Sequence, residues 1–261
     1  EGRLCAQIAE RTVLRRPAAR ALVKPLAGGV AVFAGQGSPS NKAIGLGLGQ
    51  PLDENALAGI EAEWRERSEP MRIELSTLAD GRIAPLLTAR GYRLVGFENV
   101  LGHALDGLEL PSVSGLTIEA LAPADEARWL DVTVDGFANP DPVPGVTESY
   151  PREVLEKVFA DLGGSSGFVR YLARIGGQAA GAASLHVDGK IAQFCGAATL
   201  PAFRRRGVQT ALLQHRLADA RSAGCRLAVI TTQPGSKSQA NGQRRGFKLL
   251  YTRAILLRDW S

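Results

Sequence analysis

Apolar residues recur in this chain at two spacings, one suited to strands and one to helices. Residues 190–199 form an apolar run bounded by Gly189 and Pro201 and predict a strand. From about 207 to 222, Leu213, Leu217 and Ala220 recur at i, i+4 and i+7, which predicts a helix ended by Gly224. Residues 225–232, rich in Val, Ile, Leu and Thr, read as a strand. A short helix over 236–245 follows, with Ser236 as N-cap and Gly246 past its end, and then a last strand over 247–257. Upstream, 168–174 and 178–187 read as a hairpin around Gly176-Gly177. A strand at 116–121 and helices at 125–137 and 152–162 precede it. The first hundred residues predict a helix over 4–14 and strands near 21–24, 30–33 and 41–48. A helix from 53 to about 67 sets Leu57, Ile60 and Trp64 on one face. A strand at 71–75, a helix near 82–90 and a strand at 92–101 complete this part.

The two halves repeat. Arg90-Gly91-Tyr92-Arg93-Leu94 resembles Arg245-Gly246-Phe247-Lys248-Leu249, 155 residues later. The same offset maps the strand that starts at Met71 onto Arg226–Ile230, and the helix start at Asp53 onto Val208. The pattern is a duplicated fold unit, each copy ordered strand, helix, strand, helix, strand, and not a short-period solenoid. The expected units are 1–108 and 115–261, joined near 108–114 by a linker carrying Pro111 and Ser114. Residues 139–144, with three prolines, read as a loop inside the second unit.

The length of 261 residues corresponds to about 1.7 domains at ~150 residues each, in keeping with two small units. Hydrophobic residues at 45% and charged residues at 22% exclude a disordered or fibrous chain. No stretch approaches the ~18 apolar residues that span a membrane, so no membrane partner is expected. Cys5, Cys195 and Cys225 are far apart, which excludes a disulfide scaffold and points to a reducing, cytoplasmic setting. His103, His186 and His215 are equally scattered, so no metal is expected. The chain opens on Glu1 and its one methionine is Met71, which leaves a removed targeting segment open. Thirty-one basic residues against 26 acidic ones give +5, enough to raise the question of nucleic acid. The basic clusters are short, however, and no nucleic-acid motif accompanies them. A solvated surface is the first reading, a local anion site the second, and a nucleic-acid groove the last.

The anion site has a specific candidate. Leu200-Pro201-Ala202-Phe203-Arg204-Arg205-Arg206-Gly207-Val208-Gln209-Thr210 links a strand to an amphipathic helix. A helix N-terminus presents unpaired N–H groups and about half a positive charge. Three arginines add to that potential, and Gly207 allows close approach of the backbone, so the turn suits a diphosphate. It lacks the Lys-Ser/Thr of a phosphate loop that holds magnesium, which argues against an NTPase.

Arg204-x-x-Gly207-x-Gln209 followed by Thr210-Ala211-Leu212-Leu213 resembles the acyl-CoA pyrophosphate loop of the GNAT N-acetyltransferase superfamily. The element order from Leu116 to Asp259, with Gly246-Phe247 before the last strand, resembles that fold, and the first copy resembles a degenerate second one. The resemblance implies an α+β protein of two GNAT-like units, each a mixed, twisted sheet flanked by helices. It implies transfer of an acetyl or other acyl group from acetyl-CoA, as co-substrate, to an amine. It places coenzyme A along Ala198, Thr199 and Leu200, at Arg204, Arg205, Arg206, Gly207, Val208, Gln209 and Thr210, and beside Ser238 and Asn241. The matching turn of the first copy, Gln50-Pro51-Leu52-Asp53-Glu54-Asn55, carries two acids and would repel a diphosphate, so one CoA site is expected, in the second copy.

Two positions depart from the family. Gln193 stands where some members carry a glutamate base, and Gly242 where many carry a tyrosine acid. His186, Tyr251, Glu148 and Tyr150 are weak substitutes, and Cys195 reads as a small core residue. The catalytic residues are therefore open. The expected function is N-acylation of a small molecule, an amino-acid derivative or a peptide, with no nucleic acid or membrane as partner and either a monomer or a homodimer. A non-catalytic acyl-CoA-binding protein is the alternative, because both acid–base side chains are missing.

Overall fold

A computed structural model describes residues 1–106, 115–139 and 151–260. Chain contacts divide it into two compact units: Glu1–Asn99 together with the segment from Tyr251 onward, and Val100–Leu250.

The first unit begins with α1 (Gly2–Arg15), β1 (Leu22–Leu26), β2 (Gly29–Phe33) and β3 (Lys42–Ile44). It continues with α2 (Glu54–Glu66), β4 (Met71–Ser76), α3 (Ile83–Ala89) and the start of β5 (Arg93–Ala104). Leu57, Ile60 and Trp64 form the buried stripe of α2, as their spacing predicts, and pack with Met71, Ile73 and Leu87. Burying each such side chain contributes roughly 1.5–3 kcal/mol. The third strand is only three residues long where the pattern suggests 41–48, because the chain turns at Gly45, Gly47 and Gly49.

The second unit takes the end of β5 and adds β6 (Thr117–Ala120), α4 (Glu126–Ala138), α5 (Arg152–Leu162), β7 (Phe168–Ile175) and β8 (Gln178–Asp188). Then come β9 (Ile191–Thr199), α6 (Val208–Ser222), β10 (Leu227–Thr232), α7 (Lys237–Arg244) and the start of β11 (Lys248–Arg258). The strands run in the order β5-β10-β9-β8-β7-β6. β9 pairs antiparallel with β8 and parallel with β10, so the sheet is mixed. Leu212, Leu213 and Leu217 of α6 share a core with Leu185, Phe194 and Ala228. Trp129 of α4 packs edge-on against Phe159 of α5.

The boundary differs from the expected 1–108 and 115–261. From Arg253 to Arg258, β11 pairs antiparallel with β4, so the end of the chain completes the first unit's sheet. A reading from the linker alone cannot see this, since strand exchange depends on pairing across the sequence. The expected linker and, from residue 140 on, the expected proline-rich loop lie outside the described residues.

The repeat is structural. Gly91 and Gly246 have φ of 87° and 88°. Tyr92 N–H donates to Leu87 O at 3.0 Å, and Phe247 N–H to Gly242 O at 3.1 Å. Both aromatic rings are buried, and β5 and β11 begin 155 residues apart.

Candidate functional site

The site is built where β9 and β10 part. Their parallel ladder runs from Ile191–Leu227 to Phe194–Ile230 and stops, while β9 continues to Thr199. The same stretch is irregular on its other side. Ala182 pairs with Ala198 and Ser184 with Cys195, so β9 carries one residue more than β8. That residue is accommodated at Gly196, whose φ of 59° is disfavoured for residues with a Cβ. A bulge of this kind bends its strand and interrupts pairing. The N–H and C=O groups of the last β9 residues consequently face a gap in the ladder.

Past Thr199 the chain makes a short helical turn, Pro201–Phe203, and enters α6 at Gly207 with φ 79°. Gly207 supplies no capping side chain, so the first-turn N–H groups of α6 have no cap from within. The three arginines act differently. Arg204 donates to the backbone oxygen of Asn139, at the end of α4. Arg206 lies 5.4 Å above the Phe203 ring. Arg205 is exposed and has φ 62°. Gln209 donates to Thr199 Oγ1 at 2.8 Å and so ties the first turn of α6 to the end of β9.

The structure thus brings Ala198, Thr199 and Leu200 together with Arg204 to Thr210. Arg245, at the end of α7, reaches Thr210 Oγ1 at 3.5 Å. On α7, Ser238 is exposed, while Asn241 accepts from Arg244 and Ser236 caps the helix by accepting from Gln239 N–H at 3.1 Å.

The corresponding turn of the first unit carries an acidic cap in place of the arginines. Asp53 caps α2 by accepting from Asn55 N–H at 2.8 Å, and Glu54 follows in the first turn. A cavity of about 210 Å³ beside it is lined by Pro51, Leu52, Asp80, Arg82, Ile83 and Leu86. Arg82 hydrogen-bonds Asp80 and holds its pKa down at about 2, so a carboxylate faces this cavity at neutral pH.

His186 is buried and directly opposite Gln193, one residue before the ladder ends. Burial pushes its pKa below the ordinary value, which keeps it neutral at pH 7. The Gln193 side-chain oxygen is buried and unpartnered at the same fork. Tyr251 lies in the first unit, half-buried, with a hydroxyl pKa raised by burial. Cys195 is half-buried, with Ser184 Oγ donating to its carbonyl at 2.8 Å. Glu148 and Tyr150 lie outside the described residues. At Gly242 an added Cβ would sit 2.6 Å from the Ile230 side chain, so this position faces the core.

Sequence reasoning missed the bulge and its supports. Trp129 Nε1 donates to Ala183 O at 3.3 Å, and Arg216 Nη1 to Ser184 O at 3.1 Å. The available signal was Gly196 inside a strand pattern, a common mark of a bulge. Among the described residues, no group of three or more His, Cys, Asp or Glu could hold a metal ion. No helix among them is long and apolar enough to cross a membrane.

Residues 132–247 match the model of the acetyltransferase (GNAT) family. Over this segment the chain is similar to that family. The segment contains the forked strands, the arginine turn and both helices that follow. The GCN5-related N-acetyltransferase from Kribbella flavida superposes with a TM-score of 0.68 at 18% identity, over 98% of this chain and 96% of its own. A tandem GNAT protein from the clavulanic acid biosynthesis pathway gives 0.65 at 14%, over 97% and 87%. A GCN5-related N-acetyltransferase from Sphaerobacter thermophilus gives 0.59 at 17%, over 84% and 73%. At these identities the likeness is one of fold, two GNAT-like α+β units that span nearly the whole chain. No curated protein sequence matches the chain significantly.

Proposed function

We propose that the chain is an N-acyltransferase whose second unit binds acetyl-CoA and passes the acetyl group directly to an amine. The observation that carries this reading is the end of the β9–β10 ladder at Phe194–Ile230, immediately before an α6 N-terminus with no side-chain cap and three neighbouring arginines. The α6 N–H groups would take the diphosphate, and the free edge of β9 from Ala198 to Leu200 the pantetheine amides. A backbone N–H at the bulge would polarise the thioester carbonyl. The acceptor amine attacks that carbonyl carbon and the C–S bond breaks; CoA leaves as thiolate when the amine proton passes to solvent, and as thiol when it passes to the sulfur.

Gln193 is unable to act as a base, but its unpartnered oxygen can accept from the N–H of the incoming amine and orient it. No tyrosine acid is needed at Gly242, because thiolate is a fair leaving group and orientation alone can supply on the order of 7–11 kcal/mol. The acceptor class is a small molecule, an amino-acid derivative or a peptide. The test is CoA release from acetyl-CoA against a panel of such amines. Acetylated amine formed in proportion to CoA supports the reading, and CoA binding without turnover on any amine opposes it.

A further inference from the structure

Arg216 sits in α6 with only 3% of its surface exposed. Its Nε donates to Leu212 O at 3.2 Å, its Nη1 to Ser184 O at 3.1 Å, and its guanidinium lies 4.7 Å above the Phe194 ring. No carboxylate among the described residues forms an ion pair with it. An unpaired buried charge is costly, and proteins rarely keep one without a use.

The geometry locates that use. Ser184 faces Cys195 across the bulge, and Phe194 is the last β9 residue paired to β10. The cation therefore stands at the fork of the strands. Bulges leave carbonyls outside the ladder, and buried carbonyls need donors. Ala183 O receives a neutral donor, the Trp129 indole, and Cys195 O another, the Ser184 hydroxyl. A neutral group would have sufficed for Ser184 O as well. A full charge adds a fixed positive potential at the place where acyl transfer builds negative charge on the thioester oxygen and the departing sulfur. Burial lowers the Arg216 pKa only to about 10, so the charge persists at neutral pH.

We propose that Arg216 is a positioning residue of the transfer site: it fixes the β8–β9 bulge and polarises the peptide groups that meet the thioester carbonyl. This rests on the reading of the second unit as an acyl-CoA transferase. The test uses acetyl-CoA labelled with ¹³C at the acetyl carbonyl, with the carbonyl resonance recorded in complexes of wild type, Arg216→Met and Arg216→Lys. Calorimetry gives affinity and thermal unfolding gives stability. The wild type is expected to move the resonance downfield. Arg216→Met should bind acetyl-CoA with unchanged affinity, melt only slightly lower than wild type because loss of the donor to Ser184 O is offset by removal of an unpaired buried charge, and lose most of the carbonyl shift. Arg216→Lys should restore part of it. Once an amine substrate is in hand, kcat should fall ~10–100-fold in the Met variant, less than for loss of a direct oxyanion donor, with KM for acetyl-CoA unchanged.

A wild-type shift retained in Arg216→Met would overturn the proposal. So would parallel loss of melting temperature, affinity and shift, the signature of a packing role alone. Should Arg216→Met not fold, Trp129→Phe decides against Arg216→Lys. Trp129→Phe removes a bulge contact without removing charge and should keep more of the shift. Equal or greater loss in Trp129→Phe would mean that bulge shape alone acts. Failure of the wild type to bind acetyl-CoA would refute the underlying functional reading and leaves a different mark from any of these.

Discussion

Gly207 combines an exposed backbone, φ of 79° and the first turn of α6. A glutamate there would bring a carboxylate to the N–H groups proposed to hold the diphosphate, and would take a left-handed conformation costing ~1 kcal/mol. Gly207→Glu should therefore fold, melt slightly lower and show no stabilisation by CoA in a thermal-shift titration. His186 stands directly opposite Gln193, but its burial marks it as a packed, neutral residue. A true general base contributes ~10²–10⁴ in rate, so His186→Asn should slow transfer less than ~10-fold, and a larger loss with unchanged affinity would identify it as the base. With neither His186 nor a tyrosine titrating in the reaction, the rate should rise with pH as the acceptor amine deprotonates and show no falling limb up to about pH 9. The absence of tyrosine at position 242 was visible in the sequence. That packing against Ile230 leaves no room for it was not, because that depends on how closely α7 lies on β10.

At the scale of elements, α2 and α6 start from matching points of the repeat and end up chemically opposite. Asp53 caps its own helix, whereas Gly207 leaves the α6 N-terminus without a side-chain cap. Asp53→Ala should cost the first unit ~1 kcal/mol in urea unfolding and leave CoA binding unchanged. This contrast was legible because caps are local and have a residue signature. The helices and the hairpin were legible for the same reason, since periodicity and glycine stops act within a few residues. The forked ladder has no local signature, and the bulge beside it has one sequence trace, Gly196. The clamps from Trp129 and Arg216 left none, because each bonds a carbonyl more than thirty residues away.

For the molecule as a whole, the end of the chain contributes more than the repeat suggested. Arg253, on the part of β11 that completes the first unit, bonds Glu1 at 2.7 Å and Glu98 at 2.6 Å and lies 2.8 Å from Glu74. Lys42 joins Glu1 and Glu74 at 2.7 and 2.9 Å. Removing one partner strands buried carboxylates, so Arg253→Met should destabilise the first unit by about 3–5 kcal/mol at pH 7, read from urea unfolding. Burial opposes the charge on Glu1, but Lys42 and Arg253 outweigh it and hold its pKa well below the ordinary 4.5. A carboxylate lowered in this way stabilises the fold above its unfolded pKa, so stability should fall as pH drops below ~4.5, and less steeply in Glu1→Gln. Division of labour between the two units remains the main consequence of the duplication: one carries the forked strands and the open helix end, and the other carries a capped helix and an ionic core. Calorimetric titration of the intact chain with acetyl-CoA tests this most directly. It should give one site per chain in the wild type and none in Gly207→Glu. Two sites of similar affinity, or a single site that survives Gly207→Glu, would contradict it.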